Sequence, residues 1–139
     1  AGFDRQGSSV AAATDAVVSR LCTEQRASVV EGIHATPGHL SRSTGAHPTR
    51  PVVIERLIIE PSEALHHERF AHRAQAEPLR GGDRGLAEFA KIRAIQEHLV
   101  DAAKREGVPL VDPGGLGELT QSIVDEIVQA TQADPDVAG

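Results

Sequence analysis

Residues 27–38 read Ala27-Ser28-Val29-Val30-Glu31-Gly32-Ile33-His34-Ala35-Thr36-Pro37-Gly38, and the fold turns on this stretch. Small and β-branched residues run straight into a carboxylate, a glycine, a histidine and a Pro-Gly turn. That order predicts a buried parallel strand over 27–31. In open α/β sheets ligands sit outside the carboxyl ends of the strands, so Glu31 and His34 are expected at a ligand-binding edge. A charge that closes a buried strand is costly unless it is paired, which singles out Glu31 as a candidate functional group. Pro37-Gly38 is expected to shape the turn.

Upstream, residues 1–8 are polar and glycine-rich. Ser8 or Ser9 is expected to cap a helix running to about Thr23, with Val10, Val17 and Leu21 on one face. Downstream, 35–50 reads as a loop long enough to cover a ligand. VVIERLII, residues 52–59, is the second predicted strand, and the Glu55-Arg56 break suggests an exposed edge or a bulge. Pro61-Ser62-Glu63 opens a helix to about Arg73, with Ser62 as N-cap. A polar link over 74–84 contains Arg80. A longer helix is expected over 86–106, its buried face formed by Leu86, Phe89, Ile92, Ile95 and Leu99. Gly107 is placed to stop it. Residues 108–112 are a third short strand, and a last helix carries Leu116, Leu119, Ile123 and Ile127. Strands alternating with helices predict an α/β fold: a mostly parallel sheet of three visible strands, flanked by helices. The domain is expected over 1–131, followed by a polar tail over 132–139.

A chain of 139 residues suits one domain, which buries roughly 68% of the surface of its unfolded form. With three Phe and no Trp, Tyr or Met, the core must be aliphatic. An opening AGFDRQ without Met reads as an excised or processed piece. The net charge of −6 argues against sequence-independent binding to nucleic acid. Of 14 basic residues only Lys91 and Lys104 are lysines, and arginine is the residue suited to planar anion recognition. Cys22 is alone, so no disulfide can form within the chain. No apolar run reaches the length of a membrane span and no signal sequence opens the chain, which makes a cytoplasmic protein the expectation.

Three blocks together resemble the C-terminal part of the 2-phosphoglycerate kinase family, which are P-loop kinases. The first is Gly2-Phe3, Gln6 and Val10, continuing to ASVVEGIH and Pro37-Gly38. The second is the strand 52–59 with Glu63, His66, Arg69-Phe70 and Arg73. The third is Phe89, Ile92-Arg93, Ile95-Gln96 and Leu99, closing on Gly107-Val108-Pro109. The blocks cover nearly all of the chain except its tail. The chain departs from the family in three places. The loop G-x-x-x-x-G-K-[ST], which cradles phosphates, is absent. Gly85 and His98 stand where the family tends to carry aromatics.

The resemblance implies a partial P-loop kinase fold and phosphoryl transfer from ATP, with Mg2+, to a small phosphorylated hydroxy acid: 2-phosphoglycerate would become 2,3-bisphosphoglycerate. It implies that Glu31 positions the metal or the acceptor hydroxyl, and that Arg69 and Arg73 meet the transferring phosphoryl group. It implies that His34, Arg80, Arg93 and Gln96 bind substrate. Without the phosphate loop this chain alone is expected to be inactive, with a homo-oligomer or a missing N-terminal segment supplying what it lacks. The competing reading is a non-catalytic remnant that binds a phosphorylated metabolite or a complementary chain.

Bland readings compete at each position. Arg69 and Arg73 lie four apart on one helix face, where Glu63 and Glu68 could neutralise them. Arg93 and Gln96 could be an ordinary helix-surface pair. Asp112 before Pro113-Gly114 reads as a turn former. His66, His67 and His72 lack the spacing of a zinc site, as do His34 and His39. No G-x-S-x-G turn is present and Cys22 has no nearby base, so nucleophilic catalysis finds no support.

Overall fold

A computed structural model describes residues 2–76, 82–112, 114 and 116–133. In chain order its elements are α1 (Gly2–Thr23), α2 (His39–Thr44), β1 (Leu57–Ile58), α3 (Glu63–Ala76), α4 (Gly82–Ala87), α5 (Phe89–Glu106), β2 (Leu110–Val111) and α6 (Leu116–Ala133). Arg80 and the end of the expected tail, 134–139, lie outside the described residues.

The architecture is mostly helical around a small parallel sheet. β1 pairs with β2 in parallel, Leu57 opposite Leu110 and Ile58 opposite Val111. The amides of Leu57 and Ile59 donate to Pro109 O and Val111 O, each at 3.0 Å. Two strands form among the described residues, where three were expected. Residues 27–31 are irregular and Val29 is 90% exposed. The physical reason is a missing neighbour: a strand is held by its ladder, and none of the described strands pairs with this segment. The same cause trims the run 52–59 to its last few residues, which alone meet β2.

Several helix boundaries differ from expectation. α1 begins at Gly2 rather than at Ser8 or Ser9, because Gly7 is buried inside it and does not break it. It ends on a Schellman pair, Arg26 N–H to Leu21 O (2.9 Å) and Gln25 N–H to Cys22 O (3.1 Å), with Gln25 at φ 52°. The helix expected over 86–106 starts at Phe89, after α4. α4 packs on α3, and a Cβ on Gly85 would stand 2.9 Å from Phe70 Cδ1. Gly107, at φ 70°, stops α5 as expected by donating its N–H to Ala103 O.

The loop expected over 35–50 contains a helix, α2, whose cap comes from far along the chain. Glu55 Oε2 accepts from Gly38 N–H at 2.6 Å and Oε1 from Ser41 N–H at 2.9 Å. The Glu55-Arg56 interruption is therefore a tie to neighbouring helices: Arg56 also pairs with Glu126 of α6. His39 Nε2 meets Asp15 Oδ1 at 2.8 Å, which joins α2 to α1. Gly38 takes φ 75°, and a Cβ there would stand 2.8 Å from Glu106 Cβ. Glu106 in turn pairs with Arg42.

The core is thin. Among the described residues Val18, Leu99 and Ala103 are the buried hydrophobic side chains. A compact monomer of this mass exposes about 7,000 Å² by the usual scaling, and this chain exposes 9894 Å². Val17, Ile33, Ile58 and Leu110 are among the large apolar side chains left in solvent. Among the described residues no helix is long and apolar enough to cross a membrane.

Candidate functional site

The chain leaves β1 through Ile59 into Glu60-Pro61-Ser62. Proline cannot continue the ladder and serine turns the chain into a helix, so the strand exit becomes the start of α3. Ser62 Oγ accepts from Leu65 N–H at 3.2 Å, the N-cap expected from sequence. Glu60 is buried at this corner, 8% exposed. Its Oε1 accepts from Ser62 N–H at 3.1 Å. Its Oε2 stands 2.6 Å from Arg69 Nη1, without the alignment of a hydrogen bond. Its carbonyl oxygen accepts from Arg93 Nη1 at 2.8 Å and from Gln96 Nε2 at 2.9 Å. Arg93 Nη2 reaches Pro61 O at 3.4 Å. One residue thus gathers α3 and α5 onto the end of the strand.

Around this corner the side chains are aromatic and basic. The rings of Phe70 and Phe89 lie 6.0 Å apart, and His66 sits 5.2 Å and 5.3 Å from them. Arg73 lies over the Phe70 ring, 5.5 Å from its centroid, a cation–π contact. Arg93 Nη1 is 3.4 Å from His66 Nδ1. Burial holds the His66 pKa below its ordinary value; Arg93, then Arg69 and Arg73, push it the same way, and Glu60 partly opposes them. Arg69 and Arg93 meet on Glu60 at the carboxyl end of a parallel strand, with Arg73 one helical turn further on. That is an arrangement suited to an anion.

Four of the expected site residues meet here: Arg69, Arg73, Arg93 and Gln96. Glu31 and His34 contact none of them. Glu31 is exposed and makes no hydrogen bond or ion pair among the described residues. His34 stacks on Phe3 with ring centroids 5.0 Å apart, and its Nδ1 is shielded from solvent without a hydrogen-bond partner. It lines an open groove of about 660 Å³ with Gly2, Arg5, Gln6, Ser9 and Val10. Arg80 lies outside the described residues. Asp112 Oδ1 accepts from Gly114 N–H at 2.9 Å, as a turn former does. Among the described residues no three His, Cys, Asp or Glu side chains converge as metal ligands.

Glu60 is the residue that sequence reasoning passed over. The signal was available: it is the acid that closes the run 52–59, as Glu31 closes 27–31. The helix-start motif Pro61-Ser62-Glu63 drew attention past it.

The chain aligns with curated proteins along nearly its whole length. A 2-phosphoglycerate kinase of Pyrococcus horikoshii is 30% identical over 131 residues, 94% of this chain and 41% of that protein. One of Methanococcus maripaludis is 27% identical over 130 residues, 92% of this chain and 40% of its own length. The chain is homologous to part of the 2-phosphoglycerate kinases. A relative from Methanopyrus kandleri, 30% identical over 127 residues, carries the same name. The chain spans about 40% of the length of these relatives. No protein-family model and no solved structure matches it.

Proposed function

We propose that this chain is the acceptor-side portion of a P-loop kinase fold. That fold would transfer phosphoryl groups to a small phosphorylated hydroxy acid, 2-phosphoglycerate, giving 2,3-bisphosphoglycerate. The observation that carries the reading is the meeting of Arg69 and Arg93 on Glu60 at the exit of β1, with Arg73 one turn further along α3 over Phe70, in a chain homologous to 2-phosphoglycerate kinases. Phosphoryl transfer is mostly positioning and charge stabilisation. Arg69 and Arg73 would answer the charge on the phosphoryl group, joined by Arg80. Arg93 and Gln96 would fix the substrate-facing corner through the Glu60 carbonyl. His34, stacked on Phe3 beside α1, stands apart from this corner and takes no part in it.

ATP supplies the transferred group in such a reaction. The chain has no glycine-rich lysine loop to hold a triphosphate. Magnesium carried on phosphates would need one or two protein carboxylates; Glu31 is exposed and stands apart from the arginines, so it does not fit that need, and no metal-ligand cluster forms among the described residues. The 139 residues alone would not turn over ATP at kinase rates. A cytoplasmic location accords with this substrate class.

A second reading draws on the exposed segment 27–33, where Val29 and Ile33 stand 90% and 61% in solvent. On that reading the chain is a non-catalytic partner that binds a phosphorylated metabolite and pairs with a complementary chain or a second copy of itself. Calorimetry with 2-phosphoglycerate and with ATP, separately, tests the first reading, and the oligomeric state in solution tests self-pairing in the second. The kinase-portion reading predicts saturable binding of 2-phosphoglycerate and no turnover of ATP. Absence of 2-phosphoglycerate binding, or ATP turnover typical of kinases, overturns it.

A further inference from the structure

We propose that Glu60 is a positioning residue for the anion site. Its buried carboxylate sets the Arg69 guanidinium, and its carbonyl sets Arg93, so that the arginines meet a phosphorylated acid as a preformed unit. The inference rests on the phosphate reading above and adds the group that organises it.

An apolar residue at position 60 would serve packing at the strand exit at least as well. A buried carboxylate there is costly unless it is paired, and the structure pairs it on both sides. Ser62 N–H holds Oε1, and Arg69 Nη1 stands 2.6 Å from Oε2. The Arg69 contact lacks hydrogen-bond alignment. The guanidinium is therefore held by charge at Nη1, while its Nε and Nη2 donors have no partner among the described residues. Arg69 is still 45% exposed. Arg93 does the opposite and commits Nη1 and Nη2 to the Glu60 and Pro61 carbonyls. One arginine anchors α5 to the corner, and the other is presented from α3. A long side chain ordered before binding loses less freedom when the ligand arrives.

Glu60→Gln keeps the length of the side chain and the acceptor for Ser62 N–H but removes the charge that holds Arg69. The full chain and this variant are titrated with 2-phosphoglycerate by calorimetry. The variant is expected to bind about tenfold more weakly. The same substitution in an Arg69→Ala background is expected to change affinity by less than about twofold, because its effect passes through Arg69. A residue that merely supported the corner would weaken binding equally in both backgrounds, and that result overturns the proposal. So does unchanged affinity in Glu60→Gln.

Relaxation of the Arg69 Nε–Hε group by NMR gives a readout independent of the ligand. It should be restrained in the parent chain and mobile in Glu60→Gln, with backbone shifts retained elsewhere. Equal mobility in both overturns the proposal. Should the parent chain bind no 2-phosphoglycerate, the phosphate reading fails, and the Arg69 relaxation alone decides the role of Glu60. If Glu60→Gln fails to fold, Glu60→Asp, which keeps the charge on a shorter stem, is measured in both ways: weaker binding and a more mobile Arg69 than in the parent chain are expected, and parent-like values of both overturn the proposal.

Discussion

Glu31 and Glu60 occupy the same place in two similar sentences of sequence. Each closes an apolar run and each is followed within two residues by a turn-forming residue, Gly32 in one case and Pro61-Ser62 in the other. Their surroundings differ completely. Glu60 is 8% exposed, paired with Arg69 and held by Ser62 N–H. Glu31 is exposed and has no partner among the described residues. The run before Glu60 finds a neighbouring strand, β2, and the helices α3 and α5 close over its end. The run before Glu31 finds neither. A carboxylate at a strand end becomes a site only when the strand is paired and helices bring their donors to it.

The comparison breaks most visibly in stability. Glu60→Ala removes the partner of a guanidinium and the cap of the strand exit. Loss of one partner of a fully buried ion pair costs 3–5 kcal/mol, and with Arg69 half in water the expected loss is about 2 kcal/mol. Glu31→Ala should stay within about 0.5 kcal/mol, as exposed positions do. Urea denaturation of both variants measures the contrast, and equal losses would erase it.

A smaller effect is expected at Gly38, where the loop after Glu31 is fixed to the rest of the molecule. Gly38→Ala places a Cβ at a positive φ and against Glu106, and should cost about 1–2 kcal/mol. That loss, set against a neutral Glu31→Ala, would show that this loop is anchored by Gly38, Glu55 and Glu106 and not by the acid at its start.

The smallest effect is in pH. His66 titrates below its ordinary value of about 6.5 because it is half-buried and stands near Arg93, Arg69 and Arg73, with Glu60 opposing. The unfolded chain therefore takes up the proton first on acidification. Stability should be unaffected by His66 above about pH 7 and fall as pH drops from about 6.5 toward the folded-state value. His66→Gln should flatten that part of the stability profile, whereas His67→Gln, on the exposed side of α3, should leave it in place.

Much of the helical frame was legible in the sequence. Ser62 announces α3, Gly107 ends α5, and the spacing of Phe89, Ile92, Ile95 and Leu99 marks its buried face. These signals are local, and local signals survive without neighbours. α2 was illegible because its cap, Glu55, lies 14 residues beyond Ser41 and acts through space. Residues 27–31 were misread because a strand is defined by what it pairs with, and a β-branched run says only that pairing would suit it. Arg69, Arg73, Arg93 and Gln96 were singled out from the sequence by residue type and by the family resemblance, before their neighbours were known. Their organiser, Glu60, was marked in the sequence only as the acid that closes the run 52–59; its burial follows from the meeting of α3, α5 and β1 and could not be read locally.

The central claim is that the exit of β1, and not the end of the run 27–31, is the place prepared for a phosphorylated ligand. An NMR titration of the full chain with 2-phosphoglycerate, following the arginine Nε–Hε groups and the His66 ring, tests it directly. The account predicts saturable shifts at Arg69, Arg73 and Arg93, and a His66 pKa that rises as the anion offsets the surrounding guanidiniums. Shifts confined to residues 27–38 around Glu31, with the arginines and His66 unmoved, would contradict it.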